Sequence, residues 1–179
     1  MPSCLWAQFP RNERPSQLTR DVVEVFEGAA DQIDSEKEES RISPGTRGLS
    51  SNEVLALIAP GLERLGFTVE RGKLKEDRID VPVLYGLNGR VEKAFQADAW
   101  HKERRVVLEV EAGRGVVNNQ FLKDLFQACM MDDVDGLIIA VRKVYQRGRD
   151  FDTVHKFLDT LYASGRLALP LKHIVVIGY

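Results

Sequence analysis

Glu109 and Glu111 lie two residues apart inside VVLEVEAGR (106–114), a run that is otherwise mostly apolar and β-branched. That composition predicts a buried strand. Side chains two apart on a strand share a face, here with the two carboxylates roughly 7 Å apart along it. Each buried charge is costly unless it is paired. The preceding segment VEKAFQADAW (91–100) reads as another strand and carries Asp98. A hairpin turning at Glu103 and Arg104 sets Asp98 opposite Glu109, on the same face, and a slip of one residue undoes this. Three converging carboxylates need a counter-charge. Either Arg104, Arg105 or Arg114 neutralises them and they only stabilise the sheet, or a hard divalent cation sits among them. Mg²⁺, with Mn²⁺ as its substitute, takes one or two carboxylates together with a substrate phosphate.

The elements that must position these acids follow from periodicity. Residues 1–15 read as irregular, with three prolines. Residues 16–40 read as a helix capped by Ser16, with Leu18, Val22, Val25, Phe26, Ala29 and Ile33 as its stripe. ISPGTRG (42–48) reads as a linker. These features divide the chain into an N-terminal arm over 1–48 and a domain over 49–179. The domain opens with a helix capped by Ser50 or Ser51, where Pro60 predicts a kink, and Gly66 ends it. Short strand 67–70 follows, then IDVPVLYGL (79–87), whose Pro82 predicts an edge or a bulge. Strands 91–100 and 106–112 complete an antiparallel meander. Helix 114–131, buried strand 135–141, helix 150–164 ended by Gly165, and strand 174–177 complete the order. The fold class is α/β, a mixed sheet covered by helices.

This order resembles the PD-(D/E)XK, or restriction endonuclease-like, nuclease core. The resemblance covers about residues 50–141, with Asp98 on one strand and Glu109-Val110-Glu111 on the next. It implies metal-dependent hydrolysis of phosphodiester bonds, with DNA as substrate. Asp98 matches the first acid of the pattern and Glu109 the second. Glu111 stands where the pattern has lysine, which is similar to the Glu-x-Glu variant of the BamHI type. By resemblance, Asp98, Glu109 and the Val110 carbonyl hold Mg²⁺. Glu111 orients or deprotonates the attacking water, or holds a second ion. The loss of the lysine cation implies either a two-metal site or Arg114 supplying the charge, and Glu53 is either an accessory acid or an ordinary first-turn glutamate favoured by the helix dipole. The resemblance also makes a homodimer an expectation.

Other residues are secondary. Asn118, Asn119, Gln120 and Lys123 either contact nucleic acid or form a solvated helix face. RKVYQRGR (142–149) is either a loop contacting a phosphate backbone or a solvated loop. The chain has 179 residues, enough for one sizeable core, and its net charge of −2 gives no global nucleic-acid signature. Cys4 and Cys129 lack metal-ligand spacing and pair with no histidine, which points to a reducing cytoplasm and away from zinc or cysteine-protease chemistry. No segment has the length and apolarity of a membrane span, and no P-loop is present. A glycosidase with paired carboxylates ranks below the nuclease, because the domain lacks the aromatic residues of a sugar cleft. The alternative within the same fold is a catalytically silent module that binds DNA or protein.

Overall fold

The computed structural model describes residues 3–41, 48–72, 74–113, 116–146 and 148–179. Its centre is a mixed six-stranded sheet. In spatial order the strands are β1 (Leu5–Phe9), β8 (His173–Gly178), β7 (Gly136–Val141), β6 (Val106–Glu111), β5 (Ala99–His101) and β2 (Thr68–Val69). The three central strands β6, β7 and β8 are parallel, and the flanking strands are antiparallel. A separate antiparallel ribbon joins β3 (Ile79–Tyr85) to β4 (Val91–Ala97).

Helices cover both faces, so the central strands are apolar on both sides, as the runs GLIIAV and HIVVIG require. On one face α1 (Gln17–Ile33) and α3 (Ser51–Arg64) pack Val22, Phe26, Ile58 and Leu62 against Val106, Leu108 and Val110. On the other, α4 (Gln120–Met130), α5 (Asp150–Ser164) and the ribbon pack Phe121, Leu125, Val154 and Val81 against Val107, Ile139 and Val176. The predicted caps hold. Ser16 Oγ accepts the Thr19 N–H, and Ser50 and Glu53 form a reciprocal capping box. Gly66 and Gly165 end their helices with φ of 98° and 61°, a region open to glycine.

The hairpin register is the one the sequence predicts: Ala99 pairs with Leu108, Trp100 with Val107 and His101 with Val106. The single strand expected over 91–100 is, however, divided at Asp98. β4 belongs to the ribbon and β5 to the main sheet, so there is no continuous meander. Pro82 lies beside a register shift in the ribbon, where a missing N–H is tolerated. The helix expected over 16–40 breaks at Asp34, whose Oδ1 accepts the N–H groups of Glu36 and Lys37 and starts α2 (Ser35–Arg41). The helix expected from 114 begins at Gln120, after Asn119 in the left-handed region. Pro60 lies within α3, which continues through it.

Residues 1–15 are not wholly irregular, because β1 pairs along β8 and completes one edge of the sheet. Residues 1–48, set apart as an arm, supply this strand and much of one core layer through α1. A buried ionic knot ties them to the sheet. Lys143 Nζ, just beyond β7, donates to Asp34 at 3.0 Å, Glu36 at 3.1 Å and the Ser3 carbonyl at 2.8 Å. Ser35 Oγ accepts the Lys143 N–H in the same place. Lys143→Ala leaves Asp34 buried without its cation, and unfolding in urea is expected to show a loss of about 3 kcal/mol. A loss below about 0.5 kcal/mol, the range of ordinary surface changes, would show that the knot does not anchor this segment.

Candidate metal and catalytic site

The chain bends at Asp98 as it passes from the ribbon into β5, and the bend is held from both sides. Asp98 Oδ2 accepts the Val110 N–H at 2.7 Å, and the Asp98 carbonyl accepts the Glu70 N–H at 2.8 Å. Along β6, Val106, Leu108 and Val110 face the core layer under α1 and α3. Val107 faces the opposite layer, so Glu109 and Glu111 do too. The two glutamates therefore stand on the face covered by α4. There α4 adds Lys123 and Asp124.

Asp98, Glu109, Lys123 and Asp124 line a cleft of about 360 Å³ between the sheet, α4 and the ribbon, with Glu70 and Asp80 at its margin. Glu111 lies against Asp124 further along β6. Its backbone is fixed by neighbours, since its carbonyl accepts the Tyr179 hydroxyl at 3.2 Å and the next N–H, of Ala112, donates to Ser51 Oγ at 3.0 Å.

Burial and then crowding raise these carboxyls above their ordinary values. Burial pushes the Asp98 carboxyl up to about 7, opposed by the Val110 N–H and aided by Glu70 and Asp124. Burial, then the charges of Asp98 and Asp124, drives Glu109 well above the usual carboxylate range. Glu111 is pushed up to about 8, first by burial and then by the charge of Asp124 and its hydrogen bond. Asp124 is raised by burial, against the pull of Lys123. Lys123 Nζ sits 3.2 Å from Asp124 Oδ1 and is the cation acting on all four acids. Among the described residues, one ammonium stands against four carboxyls, which leaves the cluster short of positive charge.

Each predicted residue has a definite place. Asp98, Glu109 and Glu111 come together on one face. The Val110 side chain is in the opposite core layer, and only its backbone reaches Asp98. Glu53 is engaged by the Ser50 N–H and hydroxyl at the start of α3, the ordinary first-turn role, and does not line the cleft. Arg114 lies outside the described residues. Arg104 and Arg105 are not the counter-charges; Arg105 pairs with Asp133 and Asp135 at the far end of β6. Asn118 and Asn119 are exposed on the turn before α4, Gln120 is half-buried as its first residue, and Lys123 turns into the cleft.

In the loop RKVYQRGR Arg147 lies outside the described residues, and the three described cations are all engaged. Arg142 is buried and bonded to Glu38 and the Leu49 carbonyl, Lys143 is in the knot, and Arg149 pairs with Asp152.

Glu70, Asp80 and Asp124 escape a reading of the acids by strand register. Asp124 had a visible sign: it lies on the inward stripe of its helix, with Phe121, Leu125 and Ala128. Glu70 had none, because its neighbour Asp98 is fixed only by the β2–β5 pairing.

Among the described residues, no three His, Cys, Asp or Glu side chains are already gathered into a metal centre. Asp98, Glu109 and Asp124 line one cleft, with Glu111 beside Asp124. Clustered oxygen donors of this kind fit Mg²⁺ or Mn²⁺, which accept one or two carboxylates and complete their shell with other oxygens. Among the described residues no helix is long and apolar enough to cross a membrane. The chain matches no family model, no curated protein and no solved structure.

Raised carboxyl values make stability fall as pH rises. The folded protein holds protons that the unfolded chain releases near 3.8 and 4.5, and keeps them up to about 7 for Asp98 and about 8 for Glu111. Thermal melting in a chelator is therefore expected to drop across that window. Asp98→Asn/Glu111→Gln flattens the drop, and Mn²⁺ raises the melting temperature of the parent most at the alkaline end. Identical pH profiles for the parent and the double variant would refute this account.

Proposed function

We propose that the protein is a divalent-metal-dependent nuclease of the restriction endonuclease-like kind, hydrolysing phosphodiester bonds in DNA. The observation that carries this reading is the placement of Asp98 and Glu109. They line one cleft where an antiparallel hairpin ends, and that hairpin is followed by a covering helix and a strand parallel to β6, the element order of the resembled core.

Asp98 and Glu109 hold the cation. The Val110 N–H points at Asp98, and the carbonyl of a strand residue points to the same edge as its N–H, so Val110 offers a further oxygen there. When bound, the cation supplies Lewis-acid stabilisation of the phosphate and acidifies the attacking water. Glu111 orients that water and takes up its proton. The water oxygen forms its bond to phosphorus as the bond to the leaving sugar oxygen breaks, and that oxygen leaves with the electron pair and is protonated from solvent. Lys123 brings the positive charge that a lysine at position 111 supplies in the usual pattern. An acidic cleft also explains why a polyanion needs bound cations to enter.

Supercoiled, linear and branched DNA incubated with Mg²⁺ or Mn²⁺ tests the reading. Cleavage is expected, with Asp98→Ala and Glu109→Ala at least about 100-fold slower, since even outer-shell partners of a metal cost 10–100-fold. Lys123→Met is expected to slow cleavage while binding Mn²⁺ no more weakly than the parent, because it removes charge that competes with the ion. Variants of Asp98 and Glu109 that cleave as well as the parent would sink the nuclease reading. A parent that binds no Mn²⁺ would favour a silent module for DNA or protein.

A further inference from the structure

On the face of the sheet away from the cleft, α1 and α3 leave an open groove of about 580 Å³ between them. The two helices pack tightly where Val25 meets Gly61, since a Cβ on Gly61 would stand 2.6 Å from a Val25 methyl. Val25, Ala29, Leu57 and Leu65 make the groove apolar, and Leu57 is left 39% exposed. Gly28 lies on the α1 wall, inside a helix of 17 residues. Among the described residues, nothing comes within 4 Å of where its Cβ would be. Glycine weakens a helix interior, and no packing among the described residues requires one here. Its missing side chain leaves room for a second backbone to approach α1 closely.

Charge selects the kind of backbone. Asp21 and Glu24 stand along the α1 wall, and Arg64 along the α3 wall. Helix α1 carries Asp21, Glu24, Glu27 and Asp31 against Arg20 alone. Such a wall repels a polyanion like DNA and attracts a partner bearing lysine or arginine. From Asp21 to Gln32 the wall runs about 17 Å, or about three helical turns. An apolar groove of that length with charged rims suits a helix held through anchors at i, i+3, i+4 and i+7.

We propose that the α1–α3 groove is a docking site for an amphipathic helix of a partner protein, basic on the flank that meets Asp21 and Glu24 and acidic toward Arg64. Its apolar stripe covers Val25, Leu57 and Leu65, and its backbone crosses α1 at Gly28. The groove and the acidic cleft lie on opposite faces of the sheet, so a docked partner leaves the cleft open. No residue of the cleft takes part, so the site is independent of the nuclease reading.

Fluorescence anisotropy on the intact chain tests this with a labelled peptide of about 18 residues, long enough to hold a helix in water. It carries leucine along one stripe, lysine on one flank and glutamate on the other. The parent is expected to bind it at least about tenfold more tightly than a scrambled peptide or one with glutamate on both flanks. Asp21→Lys/Glu24→Lys is expected to reverse the preference between the two flank patterns. Gly28→Trp, which fills the crossing point, is expected to weaken binding at least about tenfold. The charge-reversed pair lies on the surface and covers the case in which Gly28→Trp does not fold. Asp98→Asn/Glu109→Gln is expected to bind as the parent does. A parent that binds none of the peptides, or all of them equally, overturns the docking site. Loss of binding in the Asp98/Glu109 variant places the peptide in the cleft and overturns it too. If sedimentation shows a dimeric parent that Gly28→Trp makes monomeric, the occupant is a second copy and the partner helix is refuted. DNA cleavage is unaffected by any of these outcomes.

Discussion

The Asp98 carboxylate accepts the Val110 N–H at 2.7 Å across the bend where the chain leaves the ribbon and enters the main sheet. The site depends on that bond. Val110 has no strand partner on that edge, because β5 pairs only as far as Leu108. Its N–H would otherwise be a buried donor without an acceptor. Satisfying it fixes the carboxylate beside β6 and commits one of its oxygens. The same bend frees β3 and β4 to form a ribbon along the cleft wall instead of extending the sheet.

The second constraint is the cost of the charges so assembled. Glu109 and Glu111 share their face with Val107, Leu137, Ile139 and Val141, an apolar layer that α4 seals with Phe121 and Leu125. An ordinary core would place no acid there. This one places two on β6, one at the bend and one on the covering helix, with Lys123 as their near cation. The arrangement is unfavourable in isolation, and that cost is what the proposed cations would offset.

A contrasting ionic group shows what structural pairing looks like in the same molecule. Around Lys143, Asp34 and Glu36 supply acids to one ammonium and the Ser3 carbonyl completes its donors. Arg142 and Lys143 of that loop are spent on holding the N-terminal segment against the sheet. Among the described residues, the difference between the two clusters is the ratio of charges, one cation against two acids in the knot and one against four in the cleft.

The helices α1, α3 and α5, the three parallel strands, the caps at Ser16 and Ser50 and the β5–β6 register are all legible in the sequence. Each is set by local periodicity, by a cap within four residues, or by a tight turn. So is the shared face of Asp98, Glu109 and Glu111, because alternation along a strand and a short hairpin suffice to place them. Strand β1 was not legible, since LWAQF pairs with residues at the other end of the chain. Nor was the break at Asp98, which depends on the Val110 N–H donating to its side chain and the Glu70 N–H to its carbonyl. Lys123 as a near cation was not legible either, because the helix starts later than its apolar pattern suggests. Sequence alone determined that three acids meet on one face. Only the tertiary packing of α4 decided that a fourth acid and one lysine join them, because that contact joins a helix face to a strand face with no local rule linking the two.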